Sequence, residues 1–160
     1  LLPIVGFNYG AKLFCRVLSA MRRSIVSATV LCAAGAAVLF FFPGESVDVF
    51  TSSPEVHNIG IDAARMLAPG MLVTGFQIMA SGLFQALGKA GPSFVLSLLR
   101  QVILLIPLVL LFSRLFGIFG VWLAFPVSDF AASLLTYIIY RREMLRLRAF
   151  CESGDEPTAS

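Results

Sequence analysis

Polar residues recur at regular intervals inside one strongly apolar segment of the sequence. Counted from the first of them, they follow at steps of four, three, four and four, which places them on one face of an α-helix. Polar side chains in hydrocarbon are costly unless they find partners, so this face should look into protein or a water-filled cavity. Two interpretations stay open: hydrogen bonding and close packing between helices, or a substrate pathway. The residues of this polar stripe are Gly70, Thr74, Gln77, Ser81 and Gln85.

A proline–glycine pair opens the polar stripe. Pro69 removes one backbone hydrogen bond from a helix and clashes with the preceding turn, and Gly70 beside it permits a bend. A bent or broken helix next to polar groups recurs in transporters. Pro107 and Pro126 mark similar weak points further along the chain, although proline is common in membrane helices.

Two charged residues, Arg100 and Asp129, lie inside apolar segments. Each would cost ~2.5–3.5 kcal/mol at the centre of a membrane helix on insertion scales. Because these segments follow one another as adjacent antiparallel helices, we expect the two side chains to approach each other, directly or through water. The pair is interpreted either as a structural lock between two helices or as a proton- or ion-linked switch.

Motifs for catalysis and metal binding are absent from the sequence. There is no paired-carboxylate site, nucleophile elbow, phosphate-binding loop or metal-ligand cluster, so we predict no catalytic residues, no metal, no cofactor and no enzyme activity. Cys15, Cys32 and Cys151 lack CxxC spacing and are interpreted as free thiols. The net charge of +3 does not indicate a nucleic-acid partner, because the basic residues sit at the edges of apolar segments.

The composition favours lipid as the surrounding solvent. Hydrophobic residues make up 58% of the 160-residue chain and charged residues 13%, whereas soluble domains carry about 25% charged residues. A membrane helix needs about 20 mostly apolar residues, and four segments meet that requirement. The sequence therefore predicts an all-α, polytopic helical bundle in the lipid bilayer, with four full transmembrane helices and, at residues 1–10, the end of a preceding one. The four predicted spans are residues 24–42, 61–88, 93–113 and 115–140.

The distribution of basic residues predicts an orientation. One arrangement places nine Lys and Arg residues on one side of the membrane and Arg114 alone on the other. By the positive-inside rule the nine face the cytoplasm, so the C-terminus is cytoplasmic and residues 43–62 lie outside. The expected location is the cytoplasmic (inner) membrane. The nine residues are Lys12, Arg16, Arg22, Arg23, Lys89, Arg141, Arg142, Arg146 and Arg148.

Segments between and beyond the spans have their own predictions. Residues 12–23 mix apolar and basic residues at helical spacing, which fits either an amphipathic helix on the inner membrane surface or a continuation of the first span. Ser53, followed by Pro54 and an acid, predicts that a helix begins near Pro54. Residues 1–150 are predicted to form one membrane unit, and the polar tail 151–160 to be disordered.

Motifs that resemble those of multidrug and toxic compound extrusion (MATE) transporters occur in order along the chain. The sequence PIVGFNYGA at residues 3–11 resembles a signature of that family, and FQALGK at residues 84–89 resembles the inner end of its tenth helix. The resemblance runs from Leu1 to about Leu147. The other matching segments are residues 50–56 before the tenth helix, 75–77 within it, 99–101 in the eleventh helix, and 120–122 and 126–129 in the twelfth.

The resemblance implies twelve helices in two six-helix lobes. This chain would be part of the C-terminal lobe, from the end of helix eight to helix twelve, and would be truncated at its N-terminus or a fragment of a longer protein. Its partners would be the missing N-terminal lobe and a small-molecule drug or organic cation. The implied activity is secondary active export of cationic or amphipathic compounds in exchange for protons or sodium ions.

One departure from the family pattern concerns ion coupling. Some members place an acidic residue in helix ten as part of a cation site, and here that position falls near Thr74. Coupling is then expected to rest on an acid in the first lobe. Two alternative functions remain: a lipid-linked oligosaccharide flippase of the same wider superfamily, which would need a markedly cationic cavity, and a non-transporting membrane scaffold.

Overall fold

The computed structural model describes residues 1–51 and 53–153. These residues form a bundle of helices, which confirms the predicted all-α fold class. Three helices end beside a glycine or proline, at Gly10, before Pro43 and before Gly88, in line with the helix-breaking chemistry of these residues. The elements are α1 (Leu2–Gly10), α2 (Phe14–Phe41), α3 (Pro43–Asp48), α4 (Pro54–Ala86), α5 (Ala90–Leu98), a π-helix (Leu99–Leu104) and α6 (Leu105–Ser153).

Three helical stretches are long and apolar enough to cross a membrane, namely Phe14–Phe41, Val56–Ala86 and Ala90–Ser153. The last has 64 residues. As one straight helix it would be about 96 Å long, roughly three times the thickness of a bilayer core. It is not straight, because Gly117 has φ 61° and ψ −141°, far from helical values. Gly117 therefore divides this stretch into two passes, and the bundle has the four spans that the sequence predicts.

The two passes form an antiparallel hairpin. A Cβ atom on Gly120 would overlap the carbonyl oxygen of Phe112, so the chain turns back tightly on itself between these residues. Further from the turn, the side chains of Arg100 and Asp129 are in contact. The predicted spans 93–113 and 115–140 place the turn at Arg114, whereas the non-helical residue is Gly117, three positions later. A lone charge marks the membrane edge, but the reversal requires a backbone conformation that glycine adopts most readily.

The first long helix begins earlier than the predicted span. Residues 14–23, for which an interfacial helix was one of two interpretations, form the first turns of α2 without a break. Lys12, with φ 60°, separates α1 from α2. The helix α4 begins at Pro54 with Ser53 as its N-cap, as predicted, and continues through Pro69 to Ala86.

One cluster of fully packed apolar side chains joins four helices at one end of the bundle. We call it the basal cluster. It draws α1, α2, α4 and α6 together beside the tight turn at Gly88, which has φ 71°. The rest of the bundle exposes large apolar side chains, such as Leu31 and Leu134, as a lipid-facing surface does. The members of the basal cluster are Val5, Phe14, Val17, Met21, Leu83, Leu87 and Leu147.

The C-terminal end of α6 differs from two predictions. Helix α6 continues through Cys151 to Ser153, so disorder does not begin at residue 151, and residues 154–160 of that predicted tail lie outside the described residues. Cys151 forms a disulfide with Cys15 at the start of α2, and only Cys32 is a free thiol. The expectation of three free thiols is therefore wrong. Sequence spacing could not reveal this pairing, because the two cysteines are 136 residues apart.

Candidate functional site

The polar stripe of α4 forms one wall of a cavity of about 630 Å³. Helix α1 closes one side of the cavity, α5 and the π-helix form the opposite wall, and α6 reaches it through Thr136. Gln77, Ser81 and Gln85 of the stripe line it, as the substrate-pathway interpretation requires. On the opposite wall lie Ser97, Arg100 and Gln101.

Gln77 lies where the cavity meets α6. Its side chain is buried, and its Nε2 atom donates a hydrogen bond to the backbone carbonyl oxygen of Asp129 at 2.6 Å. Its Oε1 atom is also buried and has no hydrogen-bond partner among the described residues. A buried acceptor without a partner is costly, so a donor from water or a bound compound would stabilise this arrangement.

Arg100 and Asp129 form an ion pair between the two antiparallel passes. Arg100 Nε donates to Asp129 Oδ1 at 2.8 Å, and the side chains are 30% and 15% exposed. The structure thus brings together the two charges that the sequence places inside apolar helices. Arg100 belongs to the π-helix, whose wider turn is a feature often found at functional sites.

Thr74 joins this ion pair to α4. Arg100 Nη2 donates to Thr74 Oγ1 at 3.3 Å, and the same hydroxyl donates to the carbonyl oxygen of Gly70 at 3.1 Å. Thr74 therefore lies beside the charged pair, away from the cavity wall that the other polar residues of the stripe form. The sequence predicts its face of the helix correctly but not its partner.

Gly70 lies where α4 packs closely against α6. A Cβ atom there would lie 2.8 Å from Asp129 Oδ2 and 3.3 Å from the Cα atom of Pro126. Pro69 precedes this contact and lies inside a helix that is not broken. Glycine is thus required at residue 70 for close packing against the carboxylate, which is a different reason from the predicted bend. The bend itself stays a prediction.

A second polar contact connects α4 to α5. The hydroxyls of Ser81 and Ser93 are 3.1 Å apart, and Ser93 Oγ also donates to the carbonyl oxygen of Ser81 at 3.3 Å. Serines on facing helices let the backbones approach and satisfy each other's hydrogen bonds. The stripe therefore contributes to helix packing at Ser81, where it also lines the cavity, and the substrate pathway stays a prediction.

A further ion pair was not predicted from the sequence. Lys89, in the turn after α4, contacts Glu143 of α6, with Nζ and Oε1 2.7 Å apart. The carboxylate side chain is 10% exposed, whereas that of Lys89 is 36% exposed. The sequence signal is Glu143, an isolated acid among Arg141, Arg142 and Arg146, which indicates that the acid has a role but does not identify its partner. Among the described residues, no group of His, Cys, Asp and Glu side chains could hold a metal ion.

Comparison with known proteins assigns this bundle to a family. Residues 1–111 match the family described as MatE. The chain belongs to the MATE family. The resemblance inferred from the motifs at residues 3–11 and 84–89 is thereby confirmed.

Related MATE proteins include transporters with assigned activity. The multidrug export protein MepA of Staphylococcus aureus (strain MSSA476) is 23% identical over 144 residues, which cover 88% of this chain and 32% of MepA. MepA of Staphylococcus haemolyticus (strain JCSC1435) is 23% identical over 139 residues, covering 86% of this chain and 30% of that protein. This chain therefore spans about a third of the length of these relatives.

Solved MATE structures share the fold. A structure of the MATE multidrug transporter DinF-BH has 41% sequence identity and a TM-score of 0.82, and the match covers 89% of this chain and 32% of that one. An inward-facing MATE family transporter matches with 22% identity and a TM-score of 0.84, over 92% of this chain and 35% of its own. Together with the long apolar helices, these matches make the chain a multi-pass membrane protein of the MATE fold.

Proposed function

We propose that this chain forms part of the C-terminal lobe of a secondary active antiporter that exports cationic or amphipathic compounds. The observation that carries the proposal is the cavity of about 630 Å³ along α4, in a member of a family whose relatives are multidrug exporters. Binding pockets for drug-sized compounds fall in the range of roughly 300–1,000 Å³. The N-terminal lobe of such a transporter would complete the pathway.

The chemistry of the cavity suits an amphipathic compound. Its wall combines apolar side chains, among them Leu96 and Met79, with hydrogen-bonding groups on α4, α5, the π-helix and α6. Gln77 Oε1 is a buried acceptor without a partner among the described residues, and rotation of this side chain toward the cavity that it lines would present it to an ammonium or other N–H donor. A wall that combines apolar surface with hydrogen-bonding groups from several helices would accommodate compounds of different shapes.

Export against a gradient needs a coupled ion, and we propose protons or sodium ions for this role. In this lobe the acid beside the polar stripe is Asp129, which Arg100 neutralises. Oδ1 of this carboxylate is already engaged by Arg100 Nε at 2.8 Å, so the two side chains form a charge-balanced pair. The coupling acid is therefore proposed to lie in the N-terminal lobe.

An oligosaccharide flippase is less consistent with this charge arrangement. Pyrophosphate head groups would require an excess of positive charge along the pathway. Arg100 is the cation of the cavity wall, and its charge is balanced by Asp129 at 2.8 Å. Multidrug export in the cytoplasmic membrane of a bacterium, with a cytoplasmic C-terminus, remains the better proposal.

Dye export by the whole transporter that contains this chain tests the proposal. Cells lacking their own exporters would be loaded with ethidium, and loss of the dye would be followed by fluorescence. Everted membrane vesicles with an imposed proton gradient or an imposed sodium gradient would then identify the coupling ion. We expect faster dye loss than in cells with an empty vector, and dye transport in vesicles under one of the two gradients.

A matched pair of serine variants connects export to the cavity. Ser97 lines the cavity and donates to the carbonyl oxygen of Ser93, whereas Ser113 donates to that of Leu110 outside it. Ser97→Ala should change the relative export rates of different dyes, and Ser113→Ala should not. No export of any of several dyes under either gradient, by a correctly inserted transporter, would favour a scaffold role instead.

A further inference from the structure

Two cysteines from opposite ends of the chain meet beside the basal cluster. Cys15 lies in the first turn of α2, and Cys151 lies near the end of α6. Their Cα atoms are 5.2 Å apart and the sulfur atoms are bonded. This separation is within the usual range for a disulfide, so the backbone needs no movement to accept the bond.

Side-chain packing holds the two cysteines together independently of the bond. Phe14, next to Cys15, is buried in the basal cluster, and its ring centroid is 5.6 Å from that of Phe150, next to Cys151. Leu147, one turn earlier on α6, is 2% exposed in the same cluster. A reduced pair would therefore keep its two thiols within reach of each other.

The cysteine pair lies at the surface of the bundle. The Cys15 residue is exposed, and Cys151 is half-buried at the edge of the cluster. Cys32 is the free cysteine and lies further along α2, within the apolar part of that helix. The third cysteine is thus a natural internal control, since it has no bonded partner and lies within a predicted span.

The charges around the pair indicate the compartment that it faces. Arg16 follows Cys15 directly, and Arg146 and Arg148 precede Cys151 by a few residues. By the positive-inside rule this end of the bundle faces the cytoplasm. The cytoplasm keeps most protein thiols reduced, and cysteine pairs that bond there are usually transient or redox-sensing.

We propose that Cys15 and Cys151 form a reversible redox modification site on the cytoplasmic face of the transporter. The pair is a dithiol in unstressed cells and a disulfide when a small-molecule disulfide such as glutathione disulfide accumulates. The site rests on the predicted orientation of the chain and not on the proposed export activity.

The exchange needs no further reactant. The Cys15 thiolate attacks one sulfur of glutathione disulfide, which releases one glutathione thiolate and leaves a mixed disulfide on Cys15. The Cys151 thiolate then attacks Cys15 Sγ and releases the second glutathione thiolate. Two electrons pass from the cysteine pair to glutathione disulfide, and the two protons lost by the cysteines end on the released glutathione.

Bond formation ties the start of α2 to the end of α6. These helices belong to different ends of the sequence, so the bond closes a long stretch of chain and restricts the unfolded state. The oxidised transporter should therefore resist thermal unfolding in detergent better than the reduced one. The Cys15→Ser variant should lose this difference.

Thiol trapping in cells tests the proposal. The whole transporter would be expressed with Cys32→Ser and with serine in place of any cysteine outside residues 1–160, the cells quenched with acid, and free thiols counted from the gel shift with a maleimide polymer. We expect two reactive thiols in untreated cells, none after diamide treatment that oxidises the glutathione pool, and two again after dithiothreitol. In the Cys15→Ser, Cys151→Ser variant that keeps Cys32, diamide should not produce an intramolecular bond.

Other patterns overturn the proposal. No reactive thiols in untreated cells would mean a permanent structural bond, as expected on the outer side of the membrane. Two reactive thiols after diamide would mean that the pair does not bond in the membrane. One reactive thiol, or a mass increase for glutathione on both cysteines, would mean separate modification. Dye export is measured separately, so its failure leaves these readouts unaffected.

Discussion

Gly70 and Asp129 face each other across the contact between α4 and α6, and a Cβ atom on Gly70 would lie 2.8 Å from Asp129 Oδ2. The other carboxylate oxygen of Asp129 accepts the hydrogen bond from Arg100 Nε. The carboxylate is thus confined between a guanidinium and the backbone of α4. This relationship joins three features that the sequence presents separately: a glycine beside a proline, a polar stripe and an intramembrane charge pair.

Adding a methyl group at Gly70 should disturb this contact. In Gly70→Ala the carboxylate must move, and the Cα atom of Pro126 at 3.3 Å leaves little room on the other side. Overpacking of this kind costs about 1–3 kcal/mol. The measurement is the midpoint of thermal unfolding of the purified transporter in detergent.

Two comparisons separate overpacking from a general effect of alanine. Gly91→Ala adds the same methyl group where a Cβ atom would meet nothing within 4 Å, so its unfolding midpoint should be unchanged or slightly higher. In an Asp129→Ala background, Gly70→Ala should cost less, because the carboxylate is no longer there. Equal losses of stability in both backgrounds would contradict the assignment of Asp129 as the obstacle.

The ion pair between Arg100 and Asp129 should show strong coupling. Either Arg100→Ala or Asp129→Ala leaves one charge in a largely apolar environment, which is more destabilising than removing both. A coupling free energy of about 1–3 kcal/mol is expected from the double-mutant cycle of unfolding free energies. Strictly additive losses would show that the pair contributes no mutual stabilisation.

A conservative substitution distinguishes charge from geometry in the same pair. Arg100 contacts Asp129 through Nε and Thr74 through Nη2, and lysine has a single ammonium group that cannot match both positions. Arg100→Lys should recover part of the stability that Arg100→Ala loses. In the lysine variant, Thr74→Val should cause little further loss of stability. A lysine variant as stable as the original protein would mean that charge alone is required.

Replacing Lys89 and replacing Glu143 should reduce the stability of the transporter by different amounts. Glu143 is 10% exposed and Lys89 is 36% exposed, so removal of the lysine leaves a buried carboxylate, whereas removal of the acid leaves an amine that can reach water. Lys89→Ala should therefore lower the unfolding midpoint more than Glu143→Gln, by about 1–3 kcal/mol in free energy for the lysine variant.

An exposed pair on the same helix serves as the control for Lys89 and Glu143. Arg148 and Glu152 are 3.0 Å apart at i and i+4, with side chains 70% and 66% exposed. Exposed pairs of this kind contribute about 0.3–0.5 kcal/mol, so Arg148→Ala should change stability little. If Arg148→Ala and Lys89→Ala cost the same, burial of Glu143 is not the cause.

Much of the architecture could be predicted from the sequence because membrane helices obey strong local rules. Uninterrupted apolar segments predict the spans, since every backbone polar group in lipid must be satisfied within a helix. The helical period of the polar stripe places Gln77, Ser81 and Gln85 on a common wall, where the structure has them. The start of α4 at Pro54 follows from the same kind of local chemistry.

Contacts between distant segments could not be predicted, because they depend on how helices rotate and pack. The bond between Cys15 and Cys151 and the contact between Lys89 and Glu143 join residues 136 and 54 positions apart. The hydrogen bond from Gln77 to the carbonyl oxygen of Asp129 has no sequence pattern at all. Arg100 and Asp129 are the exception, since two lone charges in adjacent apolar helices have few other ways to be satisfied.

The hairpin between the third and fourth spans should depend on Gly117. Its φ of 61° and ψ of −141° lie in a region that is strained for residues with a Cβ atom, at a cost of about 1–3 kcal/mol. No Cβ contact would occur within 4 Å at Gly117, so any loss of stability in Gly117→Ala reports backbone strain and not a clash.

Gly10→Ala is the control, since it also adds a methyl group in open space but lies at the end of a regular helix. The unfolding midpoint of Gly117→Ala should fall while that of Gly10→Ala stays the same. The fall should be similar in an Asp129→Ala background, because the turn and the ion pair are independent. An unchanged midpoint for Gly117→Ala would mean that the chain can reverse direction at a neighbouring residue, such as Arg114, where the charge pattern alone predicts the turn.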